Sequence, residues 1–483
     1  MTTIPDPTAP AKPLPERGRF NRRRSTGVII GILVLVEIIS AFETSMVFAA
    51  IPTIIADFNS DAATVGWAVT AFLLVAAASA AVCGRLGDMY GRERVLVFIL
   101  AAATIGSLIS ALGDSISAII IGRAIQGVAG AILPLCIGLA REHLPNVKVP
   151  VAVALISGTA VAAGAASAYV AGLMIDHASW HMIFIVAAVY AAFTLLLVLF
   201  VLPWRRPVGT SQKVDFLGTI AFAPAIAAIL LAINKSGAWG WSDAKTLGLL
   251  IGGAVVLALW VVWELRVTDP IANVRLLAHR KVALTMLATL TLAAGPFGIS
   301  NMIVPLVLQT PTSAPFGLGM TPTDAGLLAF VAALLGFAFT PLSGRITRTM
   351  GSRVSLLIGG LVYGVSGVML MMFHDSKVGM FVMVVTVSIA TSFAYTALPN
   401  LIVEEVPVEN TSEATGLNTV VRTAGQGVGT SIATTILASY AVAGSVAPTV
   451  SGLNTVAIVI LVGTGLTVGL TLMLRRGTVY ADA

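Results

Sequence analysis

The sequence predicts an all-α polytopic membrane protein. Of its 483 residues, 57% are hydrophobic and only 10% are charged, against about 25% charged in a soluble domain. Continuous apolar runs recur along nearly the whole chain, each near the length of about 20 residues that crosses a bilayer as a helix. The lysines and arginines are placed in alternate loops, as membrane topology demands. A transmembrane barrel would instead show short segments of alternating polarity. By length alone about three soluble domains would fit, but the runs point to a single membrane bundle.

Fourteen spans are expected. The first six cover 27–54, 64–84, 94–113, 115–140, 149–174 and 181–203, and a middle pair covers 216–234 and 245–264. The last six cover 282–308, 323–343, 353–373, 378–401, 413–441 and 453–474. The domains that follow are a tail (1–26), a six-helix bundle (27–203), a linker with two extra helices (204–281), a second six-helix bundle (282–474) and a short tail (475–483). The first tail holds five of the 22 prolines with Arg17, Arg19, Arg22, Arg23 and Arg24, and reads as disordered and basic. It runs straight into the first span, without the short apolar core and small-residue cleavage site of a signal peptide.

Charge tests the span count. With the N-terminal tail inside, the predicted cytoplasmic segments hold 23 of the 28 Lys and Arg residues. External loops hold Lys235, Lys245 and Lys377, while Arg123 and Arg422 fall within spans. One helix too many or too few would swap every later loop, so an even number with both ends cytoplasmic is expected. The same bias accounts for the net charge of +6, which therefore implies no nucleic-acid partner. Cys83 and Cys136 lie in or at the end of apolar segments and make neither a disulfide framework nor a metal site. The seven tryptophans mostly sit near span ends, where an interfacial belt belongs.

The chain also repeats itself. Gly84–Arg92 reads GRLGDMYGR at the end of the second span, and 344–352 reads GRITRTMGS at the end of the second span after the middle pair. Two related halves around a midplane site are the plan of many secondary transporters.

These residues resemble the major facilitator superfamily, in its fourteen-span drug:proton antiporter branch. Gly84, Leu86, Asp88, Gly91, Arg92 and Arg94 match the signature loop between the second and third helices. Arg123-Ala-Ile-Gln126-Gly127-Val-Ala-Gly130-Ala matches the fourth-helix pattern R-x-x-Q-G-x-G-x-A, shifted by one glycine. AFETSMVFAAIP (41–52) is similar to the first-helix pattern L-D-x-T-x-V-x-x-A-L-P, with Glu43 at the acidic position. Glu413, Gly416, Asn418, Arg422, Gly425 and Gly429 resemble the late-helix pattern. The fifth helix departs: Gly158, Gly164 and Gly172 keep small surfaces for packing, but the family's Gly-Pro step is missing from 158–172. The resemblance implies the major facilitator fold, two six-helix bundles plus two central helices, and alternating access with protons as coupling ion. It also implies a lipophilic small-molecule substrate, no cofactor, a monomer and residence in the cell membrane.

Ionisable groups at membrane depth are functional candidates by default. Of 22 acidic residues only Glu37 and Glu43 sit well inside a span, and all five histidines lie in loops or at span ends. The two glutamates are six residues apart, about 9 Å of rise and roughly 120° of rotation on one helix, so they do not share a face. A carboxyl in a poorly hydrated cavity loads a proton more readily than one in water. Glu43 reads as part of the proton or substrate site, with a helix-to-helix hydrogen-bonding role as the alternative; for Glu37 the structural role leads. Arg123 either tunes protonation or bonds to neighbouring backbone carbonyls, on a face shared with Gln126, Gly127 and Gly130.

Asn418, Arg422 and Gln426 recur at helical spacing and either meet substrate or lock the halves together; Asn301 and Tyr395 are further cavity candidates. Gly84, Arg85, Asp88, Gly91, Arg92 and Arg94 are expected to form a cytoplasmic gate. Gly84 and Gly91 would permit turns, and Asp88, just past a helix end, would accept hydrogen bonds from a helix N-terminus or arginines. The middle pair lacks central ionisable residues and is expected to be peripheral to the transport pathway. The chain carries no P-loop and no metal-ligand spacing, which argues against an enzyme. A lipid exporter or a proton-coupled importer on the same fold is the alternative to drug export.

Overall fold

The computed structural model describes residues 25–60, 62–202, 204, 215–267, 270, 272–440 and 449–474. The two predicted tails, apart from Ser25 and Thr26, and residues 205–214 of the predicted linker lie outside the described residues.

Helices account for almost all of the described chain. They are α1 (Thr26–Ser45, continuing as Val47–Asp57), α2 (Ala62–Tyr90), α3 (Arg92–Leu112), α4 (Ile116–Gln126 and Ile132–His143), α5 (Val149–His177) and α6 (His181–Val201). The middle pair is α7 (Phe216–Trp239) and α8 (Ala244–Glu264). Then come α9 (Arg280–Leu292 and Gly298–Gln309), α10 (Pro322–Ala338 and Thr340–Met350), α11 (Ser352–Phe373), α12 (Lys377–Val403), α13 (Thr411–Ser439) and α14 (Val450–Met473). Each overlaps an expected span, with ends that differ by up to seven residues, at the close of α10. Among the described residues 13 helices are long and apolar enough to cross a membrane. The remaining one, α13, carries Glu413, Asn418, Arg422 and Gln426, and much of its length is buried among its neighbours.

The exposure pattern fits lipid as solvent. Phe200 and Leu112 are 76% and 74% exposed, an arrangement that hydrocarbon tolerates and water penalises. Many hydroxyls inside the bundle bond their own helices: Thr285, Thr467 and Thr471 each donate to the carbonyl four residues back. Trp180, expected at the interface, is instead a core residue that donates to Asp57 Oδ2 at 2.5 Å.

The apolar core is divided. One large cluster joins α1 to α6, and separate clusters join α9 to α14. Small residues bring helices into contact within and between these sets. A short 3-10 turn, Gly127–Ala131, interrupts α4 and lays Gly130 against α2, where an added Cβ would stand 2.6 Å from the Ala76 Cβ. Gly158 meets Thr340 of α10 at 2.6 Å in the same sense. α9 breaks at Ala293–Phe297, where Gly295 leaves helical geometry and a Cβ added to it would stand 2.8 Å from the Gly463 Cα of α14. Gly425 and Gly429 of α13 pack on Ala293 and Ala294 of this break.

Two expectations for packing glycines are corrected. Gly172 has nothing within 4 Å of an added Cβ, and Gly164 meets only Ser45 Oγ, at 3.6 Å. The outer part of α5 therefore lacks the close helix contact that its glycines imply in sequence. Gly130→Ala is accordingly expected to destabilise the detergent-solubilised protein by about 1–3 kcal/mol through overpacking, whereas Gly172→Ala stays within about 0.5 kcal/mol of wild type. Thermal melting of the two variants checks this, and equal melting temperatures would refute it.

Candidate transport site

Glu43 occupies the last turn of α1 before the step at Met46, fully buried. Its Oε1 lies 3.2 Å from Ser107 Oγ on α3 and 3.4 Å from Gln126 Nε2 on α4. Gln126 Nε2 also donates to Ser107 Oγ at 2.6 Å. The Ser107 hydroxyl has a single proton and two acceptors, the Ala103 carbonyl at 2.8 Å and the Glu43 carboxyl. When Ser107 donates to Ala103, the Glu43 contact needs the carboxyl's own proton. When Ser107 donates to Glu43, an ionised carboxylate suffices. The triad thus accommodates both protonation states without rebuilding. Glu43 Oε2 is buried with no hydrogen-bond partner among the described residues.

Arg123 is fully buried on α4. It donates to the Glu43 backbone carbonyl at 2.8 Å and to Gln126 Oε1 at 3.1 Å, and its guanidinium lies 4.1 Å from the centre of the Phe72 ring. The bond to a backbone carbonyl of a neighbouring helix is one of the two roles expected for it. Ser107 and Phe72 carry no family pattern and were invisible from sequence; only their depth in spans hinted at a buried role.

A second cluster faces the first from the other set. Arg422 of α13 lies 4.7 Å from the Tyr395 ring centre, Phe297 packs 5.2 Å from the same ring, and Gln426 borders the Tyr395 hydroxyl. Glu37, also buried on α1, lies within Coulombic reach of Arg422 across the two sets. The two glutamates thus answer to different arginines, as their different faces predict. Asn418 is spent elsewhere, donating to Thr289 Oγ1 of α9 at 2.7 Å. Asn301 is exposed on α9 and joins neither cluster by hydrogen bond among the described residues. The six expected cavity residues therefore do not form one lining: Gln126 belongs with Glu43, and Arg422, Gln426 and Tyr395 stand together.

The signature residues fasten the two sets at the basic end, predicted to be cytoplasmic. Asp88 lies inside the last turn of α2, not beyond it, and accepts hydrogen bonds from the Ser412 and Glu413 backbone N–H groups at 3.3 and 2.9 Å. These open α13, so the carboxylate meets a helix N-terminus. Arg92 pairs with Asp88 at 2.7 Å and Glu142 at 2.9 Å, and donates to Ser412 Oγ at 2.9 Å and to the Val408 carbonyl. Arg85 pairs with Glu413 at 3.1 Å, and Arg141 donates to the Val406 carbonyl at 2.7 Å.

Gly84 makes no turn. It lies within α2, where its missing Cβ admits the Ser412 carbonyl, and Gly416 likewise admits the Ala80 carbonyl. Gly91 does break the chain, at φ +104. Arg94 is exposed and stands outside the network. Glu413 was legible as a motif residue, but its pairing with Arg85 was not. Glu93, Glu142 and His143 bring ligand atoms within 4.8 Å of one another nearby, but they are engaged, His143 with Glu93 at 3.0 Å and Glu142 with Arg92.

Comparison with known proteins agrees with this geometry. The chain is 26% identical over 416 residues to the tetracenomycin C resistance and export protein of Streptomyces glaucescens, covering 85% of this chain and 75% of that protein. It is 26% identical over 411 residues to the multidrug export protein EmrB of Haemophilus influenzae, covering 83% and 78%. It is 30% identical over 366 residues to the uridine/deoxyuridine transporter of Lactococcus lactis, covering 71% and 74%. The fold is shared with the human organic anion transporter MFSD10, at TM-score 0.64 and 12% identity, over 94% of this chain and 100% of that one. The sequence profile of the Major Facilitator Superfamily matches residues 33–430, and the chain belongs to that family of multi-pass membrane transporters.

Proposed function

We propose that the protein exports hydrophobic or cationic small molecules from the cytoplasm in exchange for protons, by alternating access between two six-helix bundles in the cell membrane. The observation that carries the reading is Glu43: a fully buried carboxyl on a hydroxyl–amide pair that serves both of its protonation states. A proton taken from the acidic side at Glu43 and released to the cytoplasm would drive the cycle, with Arg123 tuning it and Arg422, Tyr395 and Gln426 lining the substrate path. The fastened basic end corresponds to a cytoplasmic gate that is shut. Relatives named as export proteins support the direction.

A second reading, import of a polar organic solute, is favoured by the relative named as a uridine/deoxyuridine transporter. The test is a panel of cationic, neutral and anionic dyes, with uridine, in proteoliposomes carrying an imposed pH gradient. Cationic dye pumped toward the acidic compartment supports export. Uridine accumulating in the alkaline compartment, with no dye moved, establishes the import reading instead.

A further inference from the structure

Within the middle pair, α7 lies against the seam between the two sets, while α8 packs chiefly on α7. Phe222, Ile226 and Leu230 of α7 share an apolar cluster with Ala77 and Ala81 of α2 and with Leu417 and Val420 of α13. Near the outer end, consecutive residues of α7 reach opposite sets. Lys235 places its ammonium 5.2 Å from the Trp67 ring centre on α2, and Ser236 shares a 3.0 Å hydroxyl contact with Ser431 on α13. At the basic end α2 and α13 meet directly, at Ala80 and Gly416. Toward the outer end, α7 spans from one to the other.

The two attachments differ in kind. Ser431 also donates to the Ile233 carbonyl at 3.0 Å, and Gly427 makes room for the Ile233 side chain. In the loop after α8 the Asn273 N–H donates to Glu413 Oε1 of α13 at 2.6 Å. These are directional bonds. On the α2 side, what the described residues show is a cation–π contact and apolar packing that involves Leu74, Ala77, Ala81 and Val82, which is not directional and resists sliding more weakly. Rocking of the two sets closes the outer end as it opens the basic one, and α7 cannot keep both outer contacts through that motion.

We propose that α7 and α8 travel with α13, and that α7 slides off the outer end of α2 as the outer side closes. Lys235 and Trp67 are then positioning residues of the cycle, and the middle pair is a moving wall of the transport path. This rests on the alternating-access reading above.

Two cross-links test it in full-length protein in nanodiscs, with Cys83→Ala and Cys136→Ala removing native thiols. Trp67→Cys with Lys235→Cys, joined by a short bis-maleimide, ties α7 to α2; Ser236→Cys with Ser431→Cys, joined as a disulfide, ties α7 to α13. The readout is backbone hydrogen–deuterium exchange of 408–416, which needs no substrate, in an Asp88→Asn background that unfastens the basic end. Exchange should be fast without links, return to the slow wild-type rate with the α2–α7 link, and stay fast with the α7–α13 disulfide. Fast exchange with the α2–α7 link, or slow exchange with the α7–α13 disulfide, overturns the proposal. Lys235→Gln provides an arm that disturbs no packing: it should speed this exchange in otherwise unaltered protein, and an unchanged or slower rate counts against the proposal. Were Asp88→Asn alone to leave exchange slow, the two-state reading itself would fall and this inference with it, so the two failures are distinguishable.

Discussion

Replacing Glu43 by glutamine is expected to abolish proton-coupled transport while leaving the protein folded. Glutamine has nearly the shape of the protonated acid and keeps an oxygen for Ser107 Oγ, which lies 3.2 Å from Oε1. The Ser107–Gln126 hydrogen bond at 2.6 Å and the Arg123 bond to the residue-43 carbonyl at 2.8 Å do not involve the carboxyl at all. What disappears is the group that can bind and release a proton. In proteoliposomes, substrate-driven proton flux should fall at least about tenfold, a change of about 1.4 kcal/mol or more in the coupled step. Exchange of labelled for unlabelled substrate, which needs no net proton movement, should persist. Retention of the wild-type pH dependence by Glu43→Gln would exclude Glu43 as the carrier. Glu37→Gln completes the comparison: opposed to Arg422 rather than Arg123, it should alter substrate affinity more than coupling.

The fold was legible because bilayer physics writes it in one dimension. Span length, the side given to each lysine and arginine, and the glycines of α4 and α13 all follow from constraints local in sequence. The site was legible in part. Glu43, Arg123 and Gln126 stood out as ionisable or amide groups at depth, and they are joined in space. Ser107 was not legible, since a serine inside a span usually bonds its own helix, as this one also does. Glu413 was legible only as a motif residue at the start of a span, and its burial between Arg85 and the Asn273 N–H depends on partners distant in sequence. Asn301 and Gly172 show the reverse error: a polar or small residue inside a span gives its depth but not the direction in which it faces. Apart from Lys235 at the outer end, the ties of α7 to the seam are hydroxyls, backbone groups and apolar contact, which leave no charge signature.

Asp88→Asn is expected to unfasten the basic end and to slow transport more than any other change in the signature loop. The carboxylate serves three functions there: it accepts two backbone N–H groups at the start of α13, opposes the positive end of that helix, and neutralises buried Arg92. An amide presents only one acceptor oxygen and no charge. Stripping a partner from a buried ion pair costs about 3–5 kcal/mol, but Arg92 keeps Glu142 at 2.9 Å, so a loss of about 2 kcal/mol is the reasonable scale. That shifts the balance between the fastened and unfastened ends about thirtyfold. Exchange of the 408–416 backbone should rise by a comparable factor, and transport should slow because the cycle spends too long open on one side. Asp88→Glu, which restores the charge but not the reach, should recover part of both. If Asp88→Asn transports at the wild-type rate with unchanged exchange, the charge network does not govern the opening of this end, and the two-state reading built on it falls.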